Sequence, residues 1–200
     1  MKSRIYCFLG SILIIVGFVW NVCGLDPFQP AIASKILRFH VLANSDSIED
    51  QSLKLEVRNA VGAYLGPMLL SADSLEESKE VILAHKAEIV RIAEDTLRKN
   101  GCEYAVGASV KTIEFPQKTY GEFTFPKGEY EALQIVIGEG EGQNWWCVLY
   151  PNMCFRGSVY EVDEASKQLL REVLSPWEYA DVFDSGKIEI RSKFLEYFRD

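Results

Sequence analysis

Phe39-His40-Val41-Leu42-Ala43-Asn44-Ser45-Asp46-Ser47 ends an apolar run with a histidine, two serines and an aspartate close together. These are the residue types of acyl transfer, in which a hydroxyl attacks, an imidazole takes its proton and a carboxylate orients the imidazole. That chemistry needs nucleophile and base within hydrogen-bond reach and an oxyanion site beside them. Proximity in sequence guarantees neither. The same residues also suit a helix start, because Asp46 is followed by Glu49 and Ser47 by Asp50, each three positions on. A second pairing, Cys147 with His40, has the types of a thiol nucleophile and its base. Cys147 lies between Trp146 and Val148, however, which suits a structural cysteine better than the electropositive setting a thiolate requires.

Other chemistries find less support. The histidines are His40 and His85, and the cysteines lack the paired short intervals of a zinc site, so neither metal nor cofactor is expected. The glycine-rich stretch 138–144, GEGEGQN, carries two glutamates and lacks the Lys-Ser/Thr ending of a phosphate cradle. It reads as a loop between strands.

The elements that must position these residues follow from periodicity. Leu37, Phe39, Val41 and Ala43 alternate with Arg38 and His40, the pattern of a half-buried first or edge strand. Leu53, Val57, Ala60, Val61, Tyr64 and Leu65 then share one stripe of a helix, with Glu49, Lys54, Glu56 and Arg58 on its outer face and Gly66-Pro67 as its stop. A second helix is predicted from a Ser74/Glu77 capping box to Lys99-Asn100-Gly101. Strands are predicted over Tyr104 to Phe115, Thr119 to Phe125, Glu131 to Ile137 and Trp145 to Leu149, separated by Pro and Gly clusters. On the last strand Trp145 and Trp146 must point to opposite faces, so one can anchor the core while the other is left for a partner. A short helix over Asp163 to Leu174 and an amphipathic tail ending in Phe194, Tyr197 and Phe198 complete the pattern. The fold class is α+β: one domain with a mainly antiparallel or mixed sheet covered by amphipathic helices.

Ahead of this domain, Lys2 and Arg4 precede an uncharged run from Ile5 to Leu25. It is the right length for a secretory signal or a membrane-spanning signal anchor, with the chain body outside the cytoplasm in either case. The organisation expected is therefore 1–25 signal or anchor, 26–34 loose linker, 35–200 exported domain. Ala31-Ile32-Ala33 and Val22-Cys23-Gly24 are the candidate cleavage sites, and retention and release both stay open. Without Lys2 and Arg4 the chain has 19 basic residues against 29 acidic ones. Phosphate backbones would be repelled, which argues against a nucleic-acid partner.

Cys7 and Cys23 lie in the apolar run, leaving Cys102, Cys147 and Cys154. One pair and one leftover is the simplest arrangement, and Cys147 with Cys154 is the candidate pair across a Pro151-Asn152 turn leading to a short strand. That turn would set the two cysteines diagonally, so two buried thiols remain the alternative.

Three stretches carry a resemblance: FHVLANSDSIEDQSLKLEVRNAV, KTYGEFTFPKGEYEALQIVIGEGEGQNWWCVLYPNMCF and the amphipathic tail. Together they resemble stage II sporulation protein R of endospore-forming bacteria over roughly Lys35 to Phe155. The recurrent stretches match here at His40, Ala43 to Asp46, Tyr120-Gly121, Gly128-Glu129-Tyr130 and Asn144 to Cys147. The resemblance implies an exported signal made in the forespore, acting between the two septal membranes. Its partner would be a membrane-embedded aspartic-type receptor protease that processes the precursor of a mother-cell sigma factor. It implies a ligand rather than an enzyme, with no catalytic residue to carry over. His40, Asn44, Asp46, Trp145 and Trp146 are then the candidate partner-binding residues. The alternative is an exported hydrolase acting on the septal cell wall through Ser45 or Cys147.

Overall fold

A computed structural model describes residues 26–154, 162 and 164–184. The apolar run 5–25 and the tail with Phe194, Tyr197 and Phe198 lie outside the described residues. Among the described residues, no helix is long and apolar enough to cross a membrane.

The elements in chain order are α1 (Gln29–Ala33), β1 (Leu37–Leu42), α2 (Ile48–Leu69), α3 (Leu75–Ala84), α4 (Lys86–Lys99), β2 (Val106–Phe115), β3 (Lys118–Tyr120), β4 (Phe123–Phe125), β5 (Gly128–Ile137), β6 (Asn144–Tyr150), α5 (Glu164–Val173) and α6 (Pro176–Asp184). Four strands form a mixed sheet in the order β2-β5-β1-β6, and β3-β4 form a separate hairpin. β1 runs parallel to β5 and antiparallel to β6, while β2 and β5 pair antiparallel. The architecture is α+β, as the alternation of strand and helix patterns predicts.

One face of the sheet is the main core. Phe39 and Val41 of β1 sit beside Leu133 and Ile135 of β5, and all four are buried. The α2 stripe Leu53, Val57, Val61 and Leu65 and the α4 stripe Ile89, Ala93 and Leu97 join the same buried cluster. Removing such apolar side chains from water contributes about 1.5–3 kcal/mol each, so the two amphipathic stripes suffice to hold the helices on this face.

Several expectations are corrected. β1 is neither an edge nor half-buried: it is flanked by β5 and β6, and Arg38 and His40 on its second face are buried too. The β3-β4 hairpin, through Tyr120 and Phe125, and Phe115 of β2 cover the Arg38 end of that face. The predicted strand Thr119 to Phe125 is this hairpin, folded at Gly121-Glu122. α2 does not stop at Gly66-Pro67. Proline removes one ladder donor, but Leu70 N–H donates to the Gly66 carbonyl (3.0 Å) and Leu69 remains in the core. Lys54, placed by its spacing on the outer face, is buried.

The single helix predicted from Ser74 to Lys99 is two. The Ser74 cap is present, with Glu77 N–H donating to Ser74 Oγ (3.1 Å), but the ladder breaks at His85. There Tyr64 Oη lies 2.6 Å from His85 Nδ1. Within the expected linker, Gln29–Ala33 is helical, with Ile32 buried and Gln29 Nε2 donating to the Glu129 carbonyl (2.9 Å). Met153 and Cys154 are not strand: Met153 N–H folds back to the Val148 carbonyl (3.2 Å).

Candidate functional site

The turn after β1 starts α2 through Ser47, whose Oγ accepts from Asp50 N–H (3.1 Å). Asp46, the other candidate cap, instead accepts from Gln143 N–H (2.7 Å). The centre of the turn is Asp50, whose Oδ2 accepts from Ser45 Oγ (2.5 Å) and Asn44 Nδ2 (2.9 Å). These bonds, with Ser45 foremost, hold the Asp50 carboxyl below the usual carboxylate range.

The same turn fastens the glycine-rich loop. Asn44 Oδ1 accepts from Glu139 N–H (3.0 Å), and the Asn44 and Ala43 carbonyls accept from Glu141 and Gly142 N–H (3.1 and 3.0 Å). Lys54 Nζ adds a bond to the Gln143 carbonyl (2.8 Å). Gly138 has φ +57, and a Cβ there would overlap the Asn44 amide; at Gly142 it would overlap the Ser45 carbonyl. Glycine is required by close approach as much as by conformation. Stretch 138–144, which composition presents as a mere connector, is thus one body with the turn after β1.

His40 points to the second face of the sheet and is 3 % exposed. Its Nε2 lies 2.7 Å from Asn144 Oδ1, and Gln134 Nε2 donates to its Nδ1 (3.0 Å). A proton on Nε2 alone satisfies both bonds, so the neutral ring fits this pocket. Burial pushes its pKa down to about 4; the Asn144 bond opposes this and Lys111 adds to it. Trp146 stacks on the imidazole, centroids 3.9 Å apart and planes 6° apart, and meets Phe115 edge-on at 4.6 Å.

Trp145 takes the opposite face, as strand alternation requires. It meets Phe39 edge-on at 5.6 Å, and the Arg58 guanidinium lies 4.8 Å from its ring. Both tryptophans remain partly exposed. The second sheet face opens to solvent through exposed Asn144, two positions before Trp146 on β6, and exposed Lys111 of β2.

The hydrogen bonds do not assemble an acyl-transfer triad. Ser45 bonds Asp50 and the Ser47 N–H, Asp46 bonds Gln143, and both His40 nitrogens are engaged by amide side chains. Cys147 is 1 % exposed and joined to Cys154 as a disulfide, with Cα atoms 5.9 Å apart; Cys102 is free. The diagonal placement expected of the Pro151-Asn152 turn does not keep the two apart.

Sequence reasoning missed Gln134 and Asp50 as organising groups, and placed Lys54 on the wrong side. A glutamine within the apolar run Ala132 to Ile137 was the available signal for a polar partner under the sheet.

Farther along β1, Arg38 is wholly buried in an aromatic box. Its guanidinium carbon lies 4.5 Å from the Phe115 centroid, 5.0 Å from Tyr130, 5.3 Å from Phe125 and 5.7 Å from Tyr120. Nε donates to the Cys147 carbonyl (3.1 Å) and Nη2 to Tyr120 Oη (3.2 Å). Burial lowers the guanidinium pKa, against the pull of Tyr120 and Tyr130, while those ring faces offer the cation attraction that water would have supplied. Arg38 therefore ties β1, β6 and the β3-β4 hairpin together behind the open part of the face.

Comparison with known proteins agrees with this geometry in extent. The family model described as stage II sporulation protein R matches residues 33–160, which include β1, the turn, the glycine loop and β6. Stage II sporulation protein R of Bacillus subtilis (strain 168) is 40 % identical over 154 residues, covering 73 % of this chain and 69 % of that protein. No solved structure matches. The chain belongs to the stage II sporulation protein R family and is a sporulation protein.

Proposed function

We propose that the chain is an exported intercellular signal that binds the extracytoplasmic part of a membrane-embedded aspartic-type protease in the mother cell. Binding activates that receptor and leads to processing of a sigma-factor precursor. The apolar run 5–25 serves export from the forespore into the septal intermembrane space, either cleaved or kept as an anchor.

The observation that carries this reading is Trp146, an aromatic ring partly open to solvent yet fixed by its stack on a neutral, doubly bonded His40. Interface anchors are typically large aromatics held in place and rimmed by polar groups; Asn144, bonded to His40, and Lys111, close enough to lower its pKa, are the polar groups beside this pair. Asn44 and Asp46 contribute by fixing the loop that leads into β6, and Trp145 by seating the strand on the core. A ligand switches a receptor only through higher affinity for the active state, and a rigid surface suits that task because little ordering entropy is lost on binding. The bonding of Ser45 and the pairing of Cys147 support a ligand over a hydrolase.

The test is to produce the chain, the receptor and the precursor together in a cell that does not sporulate. Processing should occur with the wild type and persist with folded Ser45→Ala and Cys147→Ser proteins. Absence of processing with wild type argues against activation. Its loss with either folded variant would favour the hydrolase.

A further inference from the structure

At the end of β6 away from the tryptophans, Tyr150 leads into the Pro151-Asn152 turn, which packs beside α5 through a bond from Ser166 Oγ to the Asn152 carbonyl (2.9 Å). Between α5 and the corner joining α2 to α3 lies a recess of about 350 Å³ whose lining includes Leu69, Asp73, Asn152, Gln168 and Glu172. A second recess of about 360 Å³ shares Asp73, Leu169 and Glu172 and continues to Lys35, Glu76 and Tyr150. The two form one groove across this end of the molecule.

Asn152 is 2 % exposed, yet neither Nδ2 nor Oδ1 of its side chain has a hydrogen-bond partner among the described residues. Leaving a buried donor or acceptor unmatched is costly, and such groups in native proteins call for a specific explanation. The backbone around this amide is well fastened: the Ser166 bond, the Met153 bond to the Val148 carbonyl and the Cys147–Cys154 disulfide all fix it. A donor and an acceptor on one planar amide match the N–H and C=O that a single residue of an extended chain points to the same side.

The groove is also acidic. Among the described residues, Asp73, Glu76 and Glu172 line it against one cation, Lys35, whose Nζ is already bonded to Glu178 (2.6 Å). A cationic side chain would meet attraction from several carboxylates there.

We propose that this groove binds an extended peptide segment carrying lysine or arginine, with Asn152 pairing the N–H and C=O of one residue and Asp73 and Glu172 holding the cation. The site lies at the opposite end of β6 from Trp146 and does not depend on the receptor reading.

The experiment is a nuclear magnetic resonance titration of the full chain in detergent micelles with the peptide acetyl-Gly-Lys-Gly-Lys-Gly-amide. A second titration uses the same peptide with norleucine in place of lysine. The lysine peptide should shift the Asn152 side-chain amide and the backbone amides around Asp73, and should bind at least tenfold more tightly than the norleucine peptide. Asn152→Ala, and separately Asp73→Asn with Glu172→Gln, should each weaken binding at least tenfold. Glu94→Gln with Glu103→Gln, on a different surface recess, should leave it unchanged. Should Asn152→Ala fail to fold, the carboxylate pair decides. No shift at Asn152, or equal weakening by both carboxylate pairs, overturns the proposal.

Discussion

Acidification should destabilise this fold through His40. The imidazole, ordinarily near 6.5, is held at about 4 in the native protein. Because the folded value is the lower one, the unfolded chain takes the proton first as pH falls. The stabilisation is complete above about 6.5, declines between about 6.5 and about 4, and is gone below that. That gap, at about 1.36 kcal/mol per pH unit, corresponds to about 3 kcal/mol. The ring borders the open part of the sheet face, so solvent screening reduces the expected loss to roughly 2 kcal/mol. Asp181 acts with the opposite sign: burial and neighbouring Asp26 raise it to about 6, so its proton favours the fold as pH falls below that value. Comparison with His40→Phe removes this term, because both proteins share it. The phenyl ring keeps a partner for Trp146 but abandons Gln134 and Asn144, so the variant should be less stable at pH 7 by about 1–3 kcal/mol. The difference should shrink by roughly 2 kcal/mol between pH 7 and pH 4. Urea unfolding followed by tryptophan fluorescence at each pH measures it, with the His40 ring titrated by nuclear magnetic resonance. Parallel pH dependence of the two proteins, or a His40 that titrates near 6.5, would mean that burial does not hold the ring neutral in the fold.

Three further outcomes are expected. Asp50→Ala removes the acceptor shared by Ser45 and Asn44 and should cost about 2–4 kcal/mol, with faster hydrogen exchange at Glu139 to Gln143; exchange unchanged in that loop would mean the turn does not hold it. Gly142→Ala should cost about 1–3 kcal/mol because its Cβ would meet the Ser45 carbonyl, whereas Gly107→Ala, with open space around it, should be nearly neutral; thermal melts distinguish them. Arg38→Ala should cost about 3–5 kcal/mol through cavity and lost ring contacts, and Arg38→Met, which keeps the volume and removes the buried charge, clearly less; equal losses in urea unfolding would shift the weight to the hydrogen bonds.

Much of the α+β order was legible because strand and helix periods differ, and the stripe Leu53, Val57, Val61, Leu65 can serve only one of them. Burial on the second sheet face was not legible. Arg38 and His40 read as solvent-facing because the residues that cover or bond them, Phe115, Tyr120, Gln134 and Asn144, lie about seventy to a hundred positions away and no local pattern reports such pairings. Pro67 and His85 misled in opposite directions: tertiary packing carried a helix past a proline and broke one where no breaker stands. At the candidate site, the capping role of Ser47 was readable from spacing, while Asp46 bonding to Gln143 depends on a loop that composition makes look unattached. Alternation alone put Trp145 and Trp146 on opposite faces; which of them would stack on a histidine required the register of β1 against β6.

On the function proposed above, Trp146, fixed on His40, is the anchor through which this chain activates its receptor. The direct measurement is precursor processing in cells producing chain, receptor and precursor, with wild type compared against Trp146→Ala and Asn144→Lys proteins whose folding is verified by their thermal melts. Both folded variants should lose at least nine-tenths of processing, roughly the tenfold effect of losing one hot-spot contact. Wild-type processing with folded Trp146→Ala would contradict it.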